Sequence, residues 1–359
     1  TDKIAGLNEG AYSIFLNSIP YSFYPIFSIA FLLFIASSGR DFGPMRKAEL
    51  RARETGAVLG PDAIVDASAD SDELMPLEGK PQRAFNALIP VAVLVFGVLI
   101  GLYWTGLQAL GEAEGGLREI IGGADSYRSL MWASLASVLV AAVLSMAQRI
   151  LTIDQTIDAW YSGMKSMLLA MIILVMAWAL SSVTEALGTA QFLTSALSGA
   201  LVPGIVPTLV FLLAAATAFS TGTSWGTMGI LMPIVVPLAW GVLAADGLHT
   251  DSEYLHIVYS TVSAVLAGAV WGDHCSPISD TTILSSMASG CDHIAHVRTQ
   301  LPYALTVGAV SILIGTLPTG FNAPWWISMP IGIVILFLVS RYVAQPVPMF
   351  EEDASVSAV

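Results

Sequence analysis

The stretch that decides the fold lies in the last third of the chain and reads Gly268-Ala-Val-Trp-Gly-Asp-His-Cys-Ser-Pro-Ile-Ser-Asp280. Apolar sequence flanks it on both sides, yet the stretch carries two carboxylates, Asp273 and Asp280. Its glycines permit unusual backbone conformations, and Pro277 has no amide hydrogen with which to continue a helix. Together these residues predict a helix that is interrupted inside an apolar segment, and we place this broken helix at 255–291.

An interrupted helix inside lipid has a specific chemical meaning. In hydrocarbon, each backbone group without a hydrogen-bond partner costs several kcal/mol, so a break persists only where protein or a polar cavity satisfies it. Transporters use such breaks as ion sites, because the freed carbonyl groups coordinate a cation and the amide end of the next half-helix faces negative charge. Ionisable side chains inside membrane segments mark function by default. We therefore expect an ion site at this break.

The residues around the break supply hard oxygen ligands, which suit sodium better than a soft metal. A second break is predicted in 205–243, where the run Ser220-Thr-Gly-Thr-Ser-Trp-Gly-Thr227 adds hydroxyl groups and two glycines. We interpret 205–243 as a broken segment or a hairpin. The predicted ion-binding and coupling residues are Asp273, Asp280, Ser276, Ser279, Thr281, Thr282, Thr221, Thr223 and Ser224, with His274 as a candidate for tuning proton affinity.

Structural roles without an ion remain open for the same residues. Asp280 can act only as a helix cap, and Asp273 can lie at the aqueous end of its segment. The hydroxyl groups at 220–227 can serve close helix packing alone. Burial of a carboxyl group disfavours its charged form, however, so a carboxylate in such a break can exchange a proton for a sodium ion. Because the nearby histidines and cysteines match no zinc pattern, we expect no metal beyond sodium and no cofactor.

The composition places these breaks in a membrane. Of the 359 residues, 55% are hydrophobic and 11% are charged, whereas soluble domains carry about 25% charged residues. A spanning helix needs about 20 residues. Apolar segments of that length lie near 18–38, 84–106, 129–148, 166–184, 300–318 and 323–343. The predicted fold class is therefore an all-α integral membrane protein, a multi-spanning helical transporter with discontinuous helices.

Basic residues assign sides to the loops of this single transmembrane domain, 1–359. The polar loop 39–83 holds seven of the fourteen Lys and Arg residues, and positive residues stay on the cytoplasmic side. We expect 39–83 to be a flexible cytoplasmic loop and 344–359 to be an acidic cytoplasmic tail. Counting crossings from this loop also places 149–165 and 292–299 inside, and 107–128 and 246–254 outside.

Several classes of protein are not expected. The net charge of −13 argues against a nucleic-acid partner. The sequence has no phosphate loop, so it gives no support to ATP-driven transport. We therefore expect a transporter and not an enzyme. The two cysteines, Cys275 and Cys291, are expected to be free thiols because they show no paired spacing.

Longer runs of the sequence resemble a known family. The run Gly-Asp-His-Cys-Ser-Pro-Ile-Ser-Asp-Thr-Thr-Ile-Leu-Ser-Ser at 272–286 is similar to the signature of the NhaC-type sodium/proton antiporter family. The runs 291–304, 223–233 and 39–45 are similar to the same family, so the resemblance covers essentially the whole chain. It implies a multi-pass transporter of a prokaryotic plasma membrane, the cell inner membrane. Such a transporter exchanges sodium for protons by alternating access, with the lipid bilayer and sodium as its partners.

The resemblance leaves two other functions open. The wider family is similar to a group that moves organic acids or amino acids, so sodium-coupled transport of such a solute is the first alternative. A non-transporting truncated subunit is the second. They are separated by whether sodium-driven proton flux, solute-dependent sodium flux or no flux is observed.

The sequence also suggests that the chain is the C-terminal part of a longer transporter. It begins with Thr1 rather than Met, and both predicted breaks lie in its second half. Transporters of this kind build the site where two inverted repeats meet, so we expect roughly 150–200 further residues upstream with a related break. The expected protein partners are this N-terminal half or a second copy of the chain. We also expect the 220–227 and 272–280 breaks to approach each other.

Overall fold

A computed structural model describes residues 11–61, 80, 83–111, 116–188, 192, 201–249, 252–289 and 291–347. These residues are almost entirely helical. Short 3₁₀ turns at Ile19–Tyr21, Pro203–Ile205 and Ser252–Tyr254 and a π-helical turn at Ser311–Thr316 connect the α-helices. The α-helices are α1 (Ala11–Ser18), α2 (Phe23–Ser38), α3 (Gly43–Thr55), α4 (Phe85–Leu110), α5 (Leu117–Gly122), α6 (Ser126–Ala147), α7 (Ile153–Ala186), α8 (Val206–Thr221), α9 (Ser224–Ala245), α10 (Leu255–Cys275), α11 (Asp280–Ala288), α12 (His293–Val310), α13 (Leu317–Gly320) and α14 (Trp325–Tyr342).

The chain divides into two compact units, one formed by Thr1–Asp66 with Ala170–Val359 and the other by Ala67–Leu169. Among the described residues, seven helices are long and apolar enough to cross a membrane. They are Phe85–Leu110, Ser126–Ala147, Pro203–Thr221, Ser224–Ala245, Leu255–Cys275, His293–Gly320 and Trp325–Tyr342. This result confirms the predicted all-α, multi-spanning membrane fold.

The first predicted span, 18–38, is not one straight helix. Ser13–Tyr21 and Phe23–Ser38 meet at an angle of 45°. The turn lies at Ser22, whose backbone torsions of −79° and 62° are not helical. Pro20 and Pro25 flank it, and neither can donate the amide hydrogen bond that a continuous helix requires.

The loop predicted to be flexible, 39–83, contains a helix. α3 begins with Pro44 in its first turn and ends at Gly56, whose φ of +69° suits glycine. Residues 62–79 of the loop lie outside the described residues. Within 149–165, which the sequence predicts to lie inside, the chain is helical from Ile153 onward. Of the predicted tail, the structure describes only 344–347.

A two-residue strand pair joins the end of α2 to the end of α14. β1 (Arg40–Asp41) pairs antiparallel with β2 (Gln345–Pro346), and Arg40 Nε donates to the carbonyl of Ala344 at 2.9 Å. The start of the 39–83 loop and the end of the last helix therefore lie at the same end of their unit. Which side of the membrane this end faces stays a prediction.

Helix α10 forms the centre of the larger unit and packs closely against α8. A Cβ atom at Gly272 would lie 2.1 Å from the carbonyl oxygen of Ala215, and one at Gly268 would lie 2.4 Å from that of Phe211. Small residues at such positions let helix backbones touch in a membrane. This seam leads directly to the predicted breaks.

Candidate functional site

The two predicted breaks contact each other through their backbones. α8 ends at Thr221 and is followed by its C-cap Gly222, whose φ is +69°; a Cβ at Gly222 would lie 2.5 Å from the carbonyl oxygen of Ile278. In the other direction, Ser276 Oγ donates to the carbonyl of Phe219 at 2.8 Å. The expected approach of the two breaks is thus observed. Any side chain at position 222 would push them apart.

The break in 255–291 spans four residues, from the end of α10 at Cys275 to the start of α11 at Asp280. Ser276 has extended backbone torsions, and its amide donates to the carbonyl of Asp273 at 3.1 Å. The amide of Ile278 donates to Ser276 Oγ at 3.3 Å. Ser276 therefore pairs with a carbonyl of α10 through its amide and with the Ile278 amide in the break through its hydroxyl. These two bonds explain how the chain leaves α10 without unpaired amides at Ser276 and Ile278.

Asp273 is the carboxylate at the centre of the site. Its side chain is 4% exposed, and Oδ2 accepts a hydrogen bond from Thr281 Oγ1 at 2.5 Å. Thr281 Oγ1 also lies 2.9 Å from Ser279 Oγ, so three predicted site residues form one hydrogen-bonded group. Within the described part of the chain, Asp273 has no ion-pair partner. A buried carboxylate of this kind needs a proton or a cation to offset the loss of water.

Thr282 follows Thr281 in the first turn of α11 and is buried. Its side chain is 3% exposed, and its hydroxyl has no hydrogen-bond partner among the described residues. A buried hydroxyl left in this state costs about 1–3 kcal/mol. Asp280 is the first residue of α11, but its side chain lies outside the described part of the structure, so its role as a second carboxylate stays a prediction.

The predicted residues of the other break bond within their own segment. Thr223 is the N-cap of α9 and accepts from the amide of Gly226 at 3.3 Å. The hydroxyl of Thr221 donates to the carbonyl of Thr217 at 2.9 Å. Ser224, in the first turn of α9, is buried. This break therefore meets the carboxylate group through its backbone at Gly222, and we find no hydrogen bond from Thr221 or Thr223 to Asp273 in the described region.

His274 is held from two directions. Its Nδ1 atom lies 3.0 Å from the hydroxyl of Tyr24, and its carbonyl accepts from Gln300 Nε2 at 2.8 Å. Neither Tyr24 nor Gln300 was singled out from the sequence. Tyr24 lies 250 residues and Gln300 lies 26 residues from His274 in the sequence.

His293 is a further residue that the sequence reading missed. The sequence analysis placed it only in the predicted inside segment 292–299, whereas its Nε2 atom lies 2.5 Å from the carbonyl of Pro277 and its Nδ1 atom lies 3.2 Å from Ser286 Oγ. A carbonyl can only accept, so Nε2 carries the hydrogen. His293 therefore satisfies a carbonyl freed by the break, and only the resemblance of 291–304 to the family had marked this region.

The positions of the thiols and histidines bear on the zinc alternative. No group of three or more His, Cys, Asp or Glu side chains among the described residues can hold a metal ion. Cys275 and Cys291 are free. Burial and the neighbouring Asp292 carboxylate raise the pKa of the Cys291 thiol, which disfavours the thiolate form that binds metal.

The run from Gly222 to Gly226 has the letter spacing of a hydrolase nucleophile elbow. That motif requires a strand followed by a helix. Here the run joins two helices, because α8 ends at Thr221 and α9 begins at Ser224. Ser224 therefore lies in the first turn of a membrane helix, and the spacing does not indicate a hydrolase.

Comparison with known proteins places these motifs in one family. The model of the Na+/H+ antiporter family matches residues 1–321. A Haemophilus influenzae protein described as uncharacterised is 34% identical over 335 residues, which cover 89% of this chain and 58% of that protein. The chain thus spans little more than half the length of this relative. No solved structure matches the chain.

Two transporters match shorter parts of the chain. The malate-2H(+)/Na(+)-lactate antiporter of Bacillus subtilis is 30% identical over 134 residues, covering 30% of this chain and 29% of that protein. The arginine/ornithine antiporter of Halobacterium salinarum is 44% identical over 52 residues, covering 14% of this chain and 11% of that protein. The family match extends over most of the chain and agrees with the resemblance seen in the sequence. The chain belongs to the Na+/H+ antiporter family.

Proposed function

We propose that this chain contributes the ion site of a secondary transporter that exchanges sodium for protons. The observation that carries the proposal is the state of Asp273, a buried carboxylate with hydroxyl neighbours and no ion-pair partner among the described residues. Sodium prefers such hard oxygen ligands. A proton on the carboxyl group removes its charge, so bound sodium and a bound proton exclude each other.

The ligands would come from both sides of the break. Asp273 supplies the charge, Thr281 and Ser279 supply hydroxyl oxygens, and Thr282 supplies a hydroxyl that has no other partner among the described residues. In other transporters, carbonyl groups at the end of an interrupted helix complete such sites. The end of α10 is the corresponding position in this chain. Exchange by alternating access follows if the site opens to one side of the membrane at a time and moves only when Asp273 carries sodium or a proton.

A further protein surface is proposed to cover the site. Thr281, which binds Asp273, is exposed, and Trp225 and Ile278 beside the contact of the two breaks are 70% and 57% exposed. A polar group facing lipid is costly. We therefore propose that an upstream half of the same polypeptide, or a second copy of the chain, covers this face. The proposed setting is a prokaryotic plasma membrane with a cytoplasmic C-terminus.

A second candidate function is sodium-coupled transport of an organic acid or amino acid. The Bacillus and Halobacterium relatives are named as a malate-2H(+)/Na(+)-lactate antiporter and an arginine/ornithine antiporter, and these names support it. In that case the site would bind sodium as the coupling ion, and an organic solute would occupy a neighbouring pocket. The two functions differ in whether proton movement requires such a solute.

The test is flux in liposomes that contain a pH-sensitive dye, with the purified chain and with the complete product of its gene. We expect a sodium gradient to drive proton movement, and Asp273→Asn to abolish it. The matched control is Asp246→Asn, an exposed carboxylate at the end of α9, which should retain the flux. Normal exchange by a normally expressed Asp273→Asn variant overturns the proposed site.

A further inference from the structure

The bend between α1 and α2 forms hydrogen bonds with α10 at two positions along that helix. Ser22 Oγ lies 3.0 Å from Ser263 Oγ, and the hydroxyl of Tyr24 lies 3.0 Å from His274 Nδ1. The two contacts on α10 are eleven residues apart, which is roughly 16 Å along a helix. The bend therefore holds α10 both in its first half and in its last turn.

Tyr24 is built into this contact. Its side chain is 1% exposed, and its ring lies against the rings of Trp271 and His274, with centroid distances of 6.3 Å and 5.8 Å. Such ring contacts fix the direction of the phenol. The hydroxyl group is thus directed at His274 by packing as well as by the hydrogen bond.

The last turn of α10 needs such support. It is followed by extended backbone at Ser276, and the final carbonyls of a helix have no partner within the helix. The His274 ring shares a hydrogen bond with the Tyr24 hydroxyl, and the His274 carbonyl accepts one from Gln300. Asp273 immediately precedes it, so a shift of His274 displaces the carboxylate relative to Thr281.

We propose that Tyr24 is a positioning residue for the ion site, acting through His274 to hold Asp273 in its ligand geometry. The proposal rests on the proposed sodium site. It makes the α1–α2 bend a third element of that site, beside the breaks that follow α8 and α10. Removal of the Tyr24 hydroxyl is expected to weaken sodium binding while leaving the fold and the maximum transport rate nearly unchanged.

The experiment uses Tyr24→Phe, which removes only the hydroxyl and retains the ring contacts. Binding is measured on the purified complete product of the gene as the rise in unfolding temperature with increasing sodium, with potassium at equal ionic strength as the reference. We expect the sodium concentration for half of the effect to rise about fivefold, as for loss of one hydrogen bond. Tyr21→Phe, a partly buried tyrosine of the same bend, should match the unchanged chain.

Two further variants separate positioning from folding. Gln300→Met removes the donor to the His274 carbonyl and should weaken sodium binding in the same direction. In the double variant Tyr24→Phe/His274→Ala, the effects of the two substitutions on sodium binding should not add, because each substitution removes the same hydrogen bond between Tyr24 and His274. If the protein without substitutions responds to sodium and Tyr24→Phe gives the same sodium curve, the positioning role is overturned. No sodium response in the unsubstituted complete gene product overturns the proposed sodium site as well.

Discussion

Two helix pairs in this molecule pack by the same device. In the smaller unit, a Cβ atom at Gly101 of α4 would lie 2.9 Å from the Cβ of Ser129 in α6. In the larger unit, Gly272 of α10 lies against the backbone of Ala215 in α8. Without a hydrophobic force between helices in lipid, such close contact supplies the attraction through dispersion. The packing alone therefore does not distinguish a structural seam from a functional one.

The polar groups at the end of each seam make the distinction. At the α4–α6 seam, Thr105 Oγ1 donates to the carbonyl of Gly101 at 2.7 Å and accepts from the amide of Asp125 at 3.1 Å. The Asp125 carboxylate caps α6 through the amide of Arg128. At the end of the α8–α10 seam, Thr282 has no partner among the described residues, and Asp273 has no ion pair among them. Buried polar groups without partners indicate a ligand, whereas close packing of two helices does not.

The largest expected effect is on the seam itself. Gly272→Ala places a Cβ 2.1 Å from the Ala215 carbonyl oxygen, so the helices must separate. We expect a loss of about 3 kcal/mol in the free energy of unfolding, measured as a lower unfolding temperature and a lower yield of monodisperse protein. Gly163→Ala in α7, where no atom lies within 4 Å of the new Cβ, is the matched control. Equal stability of the two variants would show that the α8–α10 contact is not close-packed.

An intermediate effect is expected from the hydroxyl bound to Asp273. Thr281→Val removes the donor to the carboxylate, and hydrogen bonds to charged groups are among the stronger ones. The sodium concentration for half-maximal exchange should rise about tenfold, with a smaller change in the maximum rate. Thr217→Val, whose hydroxyl donates only to the Leu213 carbonyl of its own helix, is the control. If both variants behave alike, Thr281 does not act on the ion.

The smallest effect is expected from a comparison of two buried hydroxyl groups, one without and one with hydrogen-bond partners among the described residues. Thr282→Val replaces a hydroxyl that has no partner among the described residues by a methyl group, so the free energy of unfolding without sodium should rise by about 1 kcal/mol. Thr105→Val should cost about 1–2 kcal/mol because the Asp125 amide loses its acceptor. Thermal unfolding in sodium-free buffer measures both. A larger loss for Thr282→Val than for Thr105→Val would mean that Thr282 has a structural partner.

The spans and the main break were predictable because their causes are local. Long apolar blocks without charges read directly as membrane helices, and Pro277 with its flanking glycines marks the end of α10. The family resemblance pointed to the same region. Helix α3 was missed because the reading of its loop weighed charge alone, although Pro44 and Gly56 mark its two ends.

The rest of the site depends on contacts between distant parts of the chain. Tyr24 is 250 residues from His274, and His293 reaches back 16 residues to Pro277. The periodicity of apolar residues along the sequence does not predict contacts between such distant residues. The bend at Ser22 was ambiguous for another reason, since Pro20 lies near the start of the apolar block, where proline also begins ordinary helices. The second carboxylate, Asp280, remains a prediction from the sequence.

The small strand pair between Arg40–Asp41 and Gln345–Pro346 constrains the threading of the chain. Two segments that pair in a ladder face the same aqueous compartment, so the chain between them must traverse the bilayer an even number of times. Seven described helices between these strands have the length and composition of full spans, which is an odd number. Helix α7, with 34 residues around the apolar segment 166–184, is the natural eighth traverse. An even number of crossings thus agrees with the sequence-based prediction that 166–184 spans the membrane.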